Sequence, residues 1–487
     1  MSSSIDPLPS NSSYKQKSIK SAFSLFFQSG YSALLGLVAN LAITILLSQA
    51  VYGMYLTVLS MITFLNYFSD IGLAASLIQR KDLSDDDIKT TFTTQQILVV
   101  TLMIIGFFAT GVVIPFYQLP LEGMYLYWAL LIAFFISSLK TIPSVLLERH
   151  LQFQKLVFVQ VVENTVFYLM VVALALMNYG LMSFTIAVVL RAITGLILLY
   201  SVAFWRPQIG FNKKSFHELI HFGLPFQGAS MMALLKDDLL MLYLAKAIGF
   251  EALGLVGWAK KWADAPLRIV MDNISRVSFP LISRFQDDQK KLRRIAELIL
   301  ENQTLVLAPV LIGASLTMND VIHTIPRYLK WEPAVPLFII FAISSLILSV
   351  SAPFMNVYNA LGKARTTFVF MVILTISTWT ATPFLVGVDA QFGFPIAHLI
   401  TSISLSPILF LAKRSFDINP IRATYKPIVS AIVMAAAVLA VRSFITVIGP
   451  AGIALNIVVG STVYIAMLYL VFKVHIIREF KQLYAAQ

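Results

Sequence analysis

Long apolar segments follow one another along the whole chain and are separated by short polar ones. Apolar runs of about 18 residues or more recur throughout, which is the length that an α-helix needs to cross a bilayer. Segments in which polar and apolar residues alternate, as they do in half-buried strands, are absent. The pattern predicts an all-α integral membrane protein with about 14 transmembrane helices. The predicted spans are residues 21–48, 54–79, 92–116, 124–147, 156–177, 181–204, 218–247, 252–282, 295–317, 333–359, 367–388, 393–412, 425–447 and 450–473.

Two stretches of sequence recur and predict an internal repeat. Val51-Tyr52-Gly53 and Asp70 reappear about 201 residues later as Ala252-Leu253-Gly254 and Asp272, and a stretch beginning at Pro143 reappears after 210 residues. Six spans separate the copies, so both copies have the same orientation, as in transporters built from parallel repeats. The predicted divisions are a cytosolic tail (1–20), an N-lobe of spans 1–6 (21–204), a C-lobe of spans 7–12 (205–414), and the last two spans with a cytosolic C-terminal tail (415–487).

The charge content supports the membrane assignment and orients the spans. Only 12% of the 487 residues are charged, whereas soluble domains carry roughly 25%. The net charge of +12 could indicate a nucleic-acid partner. However, most Lys and Arg residues fall in segments that face the cytosol if the N-terminus is cytosolic, as the positive-inside rule expects. We therefore expect cytosolic termini and no nucleic-acid partner.

Ionisable residues inside spans are costly and mark functional positions. The predicted spans hold more cations than carboxylates, which suits an anionic substrate. Arginine is particularly suited to phosphate oxygens because its planar fork donates two parallel hydrogen bonds. The residues predicted to bind substrate in a cationic cavity are Arg191, Lys236, Lys260, Lys261 and Arg268. Those predicted to act in gating or ion coupling are Asp70, Glu163, Asp237, Asp238, Asp264 and Asp272.

The eighth predicted span carries charges of alternating sign at every fourth residue. These residues are Lys260, Asp264, Arg268, Asp272 and Arg276. Residues four apart are neighbours on a helix, so two interpretations are open. The stripe could neutralise itself and so help a polar helix insert, or it could line a water-filled cavity.

One short motif in the chain is typical of a metalloenzyme, and a second motif, typical of ATP hydrolysis, is absent. His217-Glu218-Leu219-Ile220-His221 fits the H-E-x-x-H zinc pattern, but it stands at the cytosolic entrance of a span, where polar residues gather. The chain has no P-loop string, so ATP hydrolysis by this chain is not expected. The chain also has no cysteine. We predict no metal site, no cofactor and no enzymatic activity.

Several strings resemble the oligosaccharide-lipid (polysaccharide) flippases of the multidrug/oligosaccharidyl-lipid/polysaccharide exporter superfamily, including colanic-acid and exopolysaccharide exporters. The resemblance covers roughly residues 18–422. Its clearest parts are Phe222-Gly223-Leu224-Pro225, Ile248-Gly249-Phe250-Glu251-Ala252-Leu253-Gly254, Phe279-Pro280-Leu281-Ile282-Ser283-Arg284, Gln286-Asp287-Asp288 and Asn359-Ala360-Leu361-Gly362-Lys363.

The resemblance implies an alternating-access carrier in a bacterial cytoplasmic (inner) membrane. Its substrate would be an undecaprenyl-diphosphate-linked oligosaccharide, moved outward for exopolysaccharide or lipopolysaccharide synthesis, with polysaccharide polymerase machinery as a further partner. A multidrug or lipid II-type antiporter of the same superfamily is an alternative. An intramembrane enzyme is a more remote one, since it would need a large external loop or a complete metal site.

Overall fold

The computed structural model describes residues 11–285, 288–445, 447 and 449–473, and within these residues it contains helices and no strand. The all-α prediction is confirmed. The helices are α1 (Asn11–Leu46), α2 (Gln49–Tyr67), α3 (Leu73–Gln79), α4 (Asp85–Tyr117), α5 (Leu121–Ser138), α6 (Thr141–Arg149), α7 (Phe153–Leu176), α8 (Met182–Val202), α9 (Lys213–Lys236), α10 (Asp238–Arg284), α11 (Gln289–Thr324), α12 (Val335–Ser351), α13 (Pro353–Ala360), α14 (Ala364–Val388), α15 (Gly393–Ser404), α16 (Pro407–Phe416), α17 (Pro420–Phe444) and α18 (Pro450–Ala466). The predicted N-terminal tail (1–20) lies partly outside the described residues, and residues 474–487 lie wholly outside them.

Among the described residues, 12 helical segments are long and apolar enough to cross a membrane, and Gly30–Leu46 of α1 adds a shorter apolar one. One of the 12, Leu234–Asp272, includes parts of the seventh and eighth predicted spans. It is interrupted at Gly249, whose φ of 78° is outside the helical range. The protein is therefore a multi-pass membrane protein.

Besides the seventh, which is divided between α9 and α10, four predicted spans consist of two helices each, where the sequence predicts one. The paired helices are α2 with α3, α5 with α6, α12 with α13, and α15 with α16. Proline opens two of the second helices, at Pro353 and Pro407. A proline cannot donate the backbone hydrogen bond that would continue the preceding helix, so these breaks have a local cause. The α5–α6 break at Leu139 and Lys140 has no proline at the junction itself.

The chain divides into two compact units, Met1–Lys246 and Ala247–Gln487. In the first unit, α7 packs between α1 and α8, α8 packs on α5, and α5 packs on α2 and α4. Helix α9 packs on α2, α3 and α4, although the sequence repeat assigns it to the C-lobe. The predicted lobe boundaries stay a prediction.

In the second unit, α11 packs on α12, α17 and α18, while α15 packs between α12 and α14. An aromatic cluster is buried within it. The Trp258 ring stacks on Trp331 with centroids 5.6 Å apart, and its Nε1 donates to the Tyr328 hydroxyl at 2.8 Å. This cluster fixes the first turns of α10 after Gly249 against the 3₁₀ turn Leu329–Ala334.

Arginines hold the ends of α3, α6 and α9 together at the edge of the first unit that is predicted to be cytosolic. Arg149 donates to the Leu77 carbonyl at 2.6 Å, which satisfies a backbone acceptor left open at the end of α3. Arg80 pairs with Glu218 of α9 at 2.6 Å. The Ser76 hydroxyl donates to the Leu219 carbonyl at 2.8 Å. Helix α9 is thus fixed to α3 by both charged and backbone contacts.

Two glycines allow α3 and α9 to approach closely. Gly72 precedes α3 with a φ of 76°, and a Cβ added to it would lie 2.2 Å from the Gly223 carbonyl oxygen. A Cβ on Gly223 would lie 2.8 Å from the Gly72 carbonyl oxygen. No side chain fits at this contact, so both positions require glycine.

Replacing Gly72 by Ala is expected to destabilise the protein by about 2 kcal/mol or more, because alanine is strained at positive φ and its methyl group meets backbone. The measurement is the thermal unfolding midpoint of the purified protein in detergent. Gly111→Ala is the matched control, since a Cβ there meets nothing within 4 Å. Equal midpoints for the two variants would refute the close approach.

Candidate functional site: charged residues inside the membrane spans

A buried ion pair lies in the first unit, where the span formed by α5 and α6 is broken. Lys140, at the break, contacts the carboxylate of Glu163 on α7. Their side chains are 17% and 9% exposed. Opposite charges in a low-dielectric interior stabilise each other only when they are in contact. The Glu163 carboxylate therefore has a cation in contact with it at the break between α5 and α6.

Gly195 of α8 provides the space that the Glu163 carboxylate occupies. A Cβ on Gly195 would lie 1.4 Å from Glu163 Oε1, so even alanine would displace the carboxylate. The ion pair therefore depends on three helical segments: α5–α6 for the lysine, α7 for the glutamate and α8 for the glycine.

Arg191 lies one helical turn from Gly195 on α8. Its guanidinium carbon is 5.6 Å from the centroid of the Phe167 ring on α7. Glu163 faces Gly195, and Phe167 faces Arg191, which is the register of two antiparallel helices. Arg191 is exposed, and no carboxylate partner is found for it among the described side chains. An exposed guanidinium halfway along a spanning helix requires water or an anion beside it.

The second unit contains a comparable but different pair. Lys260 contacts Asp264 one turn away on α10, and the Ser345 hydroxyl of α12 donates to the other oxygen of Asp264 at 3.0 Å. Asp264 is buried at 9% exposure. The alternation of charges thus produces neutralisation at this end of the stripe, as one of the two sequence interpretations expects.

The remainder of the stripe is arranged differently. Lys261, Arg268 and Asp272 are exposed on α10, and the side chain of Arg276 lies outside the described residues. Exposed charges on a helix that is apolar enough to cross a membrane fit the other interpretation, in which they line a hydrated cavity. The cavity interpretation of these three residues stays a prediction.

The structure breaks the seventh predicted span near its middle. Helix α9 ends at Lys236, Asp237 is a turn residue, and α10 begins at Asp238. Lys236 pairs with the adjacent Asp237 at 2.6 Å, and Asp237 is 59% exposed. Three consecutive charged residues therefore occupy a helix junction, where the sequence predicts a continuous helix.

Asp70 lies in the turn between α2 and α3 and accepts a hydrogen bond from the Ala74 backbone N–H at 2.9 Å. No lysine or arginine partner is found for it among the described side chains. Its repeat counterpart Asp272 is exposed on α10. Their gating role stays a prediction.

A line of polar contacts joins α1 and α7, and the sequence prediction does not include it. Gln28 contacts Gln160, the Asn164 amide donates to Ser32 at 3.3 Å, and the Tyr31 and Thr165 hydroxyls are 2.8 Å apart. Polar residues at every third or fourth position on both helices were the available signal. Such contacts join membrane helices that hydrophobicity alone does not hold together.

The H-E-x-x-H string has a different role in the structure. Glu218 pairs with Arg80, while His217 and His221 are exposed. Within the described part of the chain, no three His, Asp or Glu side chains converge as they would on a metal ion.

Comparison with known sequences identifies the family that this arrangement belongs to. The profile of the family described as polysaccharide biosynthesis protein matches residues 43–336. The teichuronic acid biosynthesis protein TuaB of Bacillus subtilis is 25% identical over 61% of this chain and 62% of its own length. The succinoglycan biosynthesis transport protein ExoT of Rhizobium meliloti is 20% identical over 80% of this chain and 79% of its own. The lipopolysaccharide biosynthesis protein WzxC of Escherichia coli is 22% identical over 79% and 80%.

Solved structures share the fold. The lipid II flippase MurJ in an inward closed conformation superposes with a TM-score of 0.74 over 93% of this chain and 99% of its own, at 14% identity. A multidrug MATE family transporter in an inward-facing conformation gives a TM-score of 0.61 at 12% identity, covering 77% and 95% of the two chains. The resemblance inferred from the sequence is confirmed.

Gly195→Ala is expected to destabilise the protein by about 3 kcal/mol, because it separates Glu163 from Lys140 and leaves a buried charge unpaired. Thermal unfolding of the purified variant measures this. In a Lys140→Ala/Glu163→Ala background the same substitution should have almost no effect. An equal loss in both backgrounds would show that Gly195 does not act through the ion pair.

Proposed function

The chain belongs to the family of polysaccharide biosynthesis proteins, and we propose that it is a flippase for a lipid-linked oligosaccharide. It carries this substrate from the inner to the outer leaflet of a bacterial cytoplasmic membrane by alternating access. It acts as a carrier and not as an enzyme. The product supplies exopolysaccharide or lipopolysaccharide synthesis.

One observation carries the proposal: Arg191 is an unneutralised cation halfway along a membrane-spanning helix. Three other cations in predicted spans, Lys140, Lys236 and Lys260, contact carboxylates, whereas Arg191 contacts an aromatic ring. A guanidinium kept in this state costs several kcal/mol in lipid. The cost is offset when an anionic substrate binds beside it, and the fork geometry of arginine matches phosphate oxygens.

The chemistry of the substrate follows from its two ends. A polyprenyl diphosphate, such as undecaprenyl diphosphate, supplies the anion, and its hydrocarbon chain remains in lipid while the sugars cross. The names of TuaB, ExoT and WzxC refer to three different polymers, teichuronic acid, succinoglycan and lipopolysaccharide. All three names refer to the biosynthesis of a carbohydrate-containing product, and that of ExoT also to transport, which supports a carbohydrate precursor as the cargo.

The other cations act on the cargo at other stages of the cycle. Lys261 and Arg268, which are exposed on α10, contact the diphosphate and the adjoining sugars in this scheme. Lys236 and Lys260 are paired in this conformation, so they contact cargo only after exchanging a carboxylate for a phosphate. Exchange of this kind couples cargo binding to a change in helix packing.

The carboxylates serve gating and ion coupling in this scheme. Asp237, Asp264 and Glu163 neutralise cations in the conformation described here and are released when cargo takes their place. Asp238 lies at the α9–α10 junction, and Asp70 and Asp272 are repeat counterparts at the predicted cytosolic side. A carboxylate released from its lysine can take up a proton or a sodium ion from the outside.

The membrane potential contributes to the driving force. Moving two negative charges outward from a negative interior is favourable by about 4–5 kcal/mol at 100 mV, at roughly 2.3 kcal/mol per charge. Both termini are cytosolic, and the outer-leaflet product is passed to polysaccharide polymerase machinery.

Arg191→Gln is expected to reduce polymer export at least about 10-fold, since the phosphate loses a charge-assisted pair worth roughly 1.5–3 kcal/mol. The measurement is complementation of a deletion strain, with lipid-linked oligosaccharide quantified on the cytosolic face. Lys246→Gln is the control, because Lys246 donates to the Phe116 carbonyl at 2.7 Å and does not belong to the proposed site. Normal export by Arg191→Gln would exclude this residue from cargo binding.

A further inference from the structure

Arg191 lies in a part of the first unit that is rich in aromatic side chains. Phe167 lies beneath its guanidinium, and Tyr168 meets the Phe167 ring edge-on. Tyr55 stacks on Phe184, which lies seven residues before Arg191 on α8, so Phe184 and Arg191 share a helix face. Tyr55 belongs to α2, and Tyr168 follows Phe167 on α7. These tyrosines have no role in the site described above.

The packing fixes both tyrosine rings. The Tyr55 ring stacks on Phe184 of α8, with centroids 3.9 Å apart and planes 11° from parallel. The Tyr168 ring meets Phe167 edge-on at 5.2 Å. A Cβ on Gly36 of α1 would lie 3.4 Å from the Tyr168 hydroxyl. Because glycine has no Cβ, α1 passes close to this hydroxyl and leaves space beside it.

The two hydroxyls differ from other tyrosine hydroxyls of the same unit. Five tyrosines bond to protein atoms: Tyr31 to Thr165, Tyr52 to Asn40, Tyr117 to the Leu242 carbonyl, Tyr127 to the Gly106 carbonyl and Tyr200 to the Leu139 carbonyl. For Tyr55 and Tyr168, no protein acceptor is found among the described residues. Both tyrosines are half-buried, so their hydroxyls can donate to an acceptor that is not part of the protein.

We propose that Tyr55, Tyr168 and Arg191 form one phosphoryl-binding site in the first unit, in which both tyrosine hydroxyls donate to phosphate oxygens beside the guanidinium. Phe167 positions the guanidinium by lying against its face. The proposal rests on the proposed function and specifies where the first unit holds the cargo diphosphate.

The chemistry of the three donors supports a phosphoryl group as the ligand. A guanidinium and two phenols supply donors and no competing negative charge, so they match an oxyanion with several acceptor oxygens. A neutral sugar hydroxyl would need acceptors as well, and the three groups provide few. The site therefore distinguishes a phosphorylated polyprenyl lipid from the corresponding alcohol.

The test is equilibrium binding of undecaprenyl diphosphate and undecaprenol to the purified full-length protein in detergent. Tyr55→Phe and Tyr168→Phe should each weaken undecaprenyl diphosphate binding about 10-fold, as expected for loss of a hydrogen bond to a charged group, and leave undecaprenol binding unchanged. Tyr127→Phe, which removes a hydroxyl bonded to a backbone carbonyl, should change neither affinity.

Inorganic diphosphate as a competitor distinguishes the two sources of this headgroup. It should displace the lipid only at far higher concentration, because it lacks the polyprenyl chain. Displacement as effective as that by undecaprenyl diphosphate would assign the site to a soluble phosphate and overturn the cargo assignment.

The failure of this inference can be told apart from failure of the proposed function. Wild-type affinity in Tyr55→Phe and Tyr168→Phe, with weakened binding in Arg191→Gln, would remove the tyrosines from the site and leave the flippase function intact. Wild-type affinity in Arg191→Gln as well would overturn the whole site. Lipid-linked oligosaccharide accumulation in the deletion strain tests the function independently of any residue.

Discussion

The cost of an isolated charge in hydrocarbon governs the arrangement of this protein. Lys140 and Lys260 lie within spans, and each contacts a carboxylate. Arg191, within α8, differs from these two lysines. Arg191 has an aromatic ring where the lysines have carboxylates, so the same constraint that stabilises the bundle also marks the position where an anion binds.

Polar contacts and glycines hold the helices of this protein together, as hydrophobic burial does in soluble proteins. Lipid is as apolar as leucine, so helices in a membrane associate through close packing and hydrogen bonds. The α1–α7 seam of glutamine, serine, asparagine and tyrosine provides the hydrogen bonds. Gly72 and Gly223 provide the close packing of α3 on α9. Both kinds of contact are sparse and directional, and they can break and re-form without exposing a large apolar core.

The sequence predicts the helices well because hydropathy and length decide them, and it predicts which spans hold charges. It does not predict which charges neutralise one another across helices. Glu163 and Lys140 are 23 residues apart, and only the packing of α7 beside the α5–α6 break brings them together. The sequence also does not predict the interruption at Asp237. Leucines such as Leu240 and Leu244 keep the mean hydropathy of the segment high although charged residues lie beside them. The Lys260–Asp264 pair is local, at a spacing of four, and could be anticipated.

The contact between Glu163 and Gly195 has a consequence for how this sequence can diverge. A carboxylate at position 163 occupies the volume that any side chain at position 195 would need. A descendant could therefore acquire a larger residue at 195 only after losing the acid, and Lys140 would then be left buried without its counter-charge. The order of the three substitutions is constrained, so positions 140, 163 and 195 should vary together among relatives, even though they lie on separate segments of the chain.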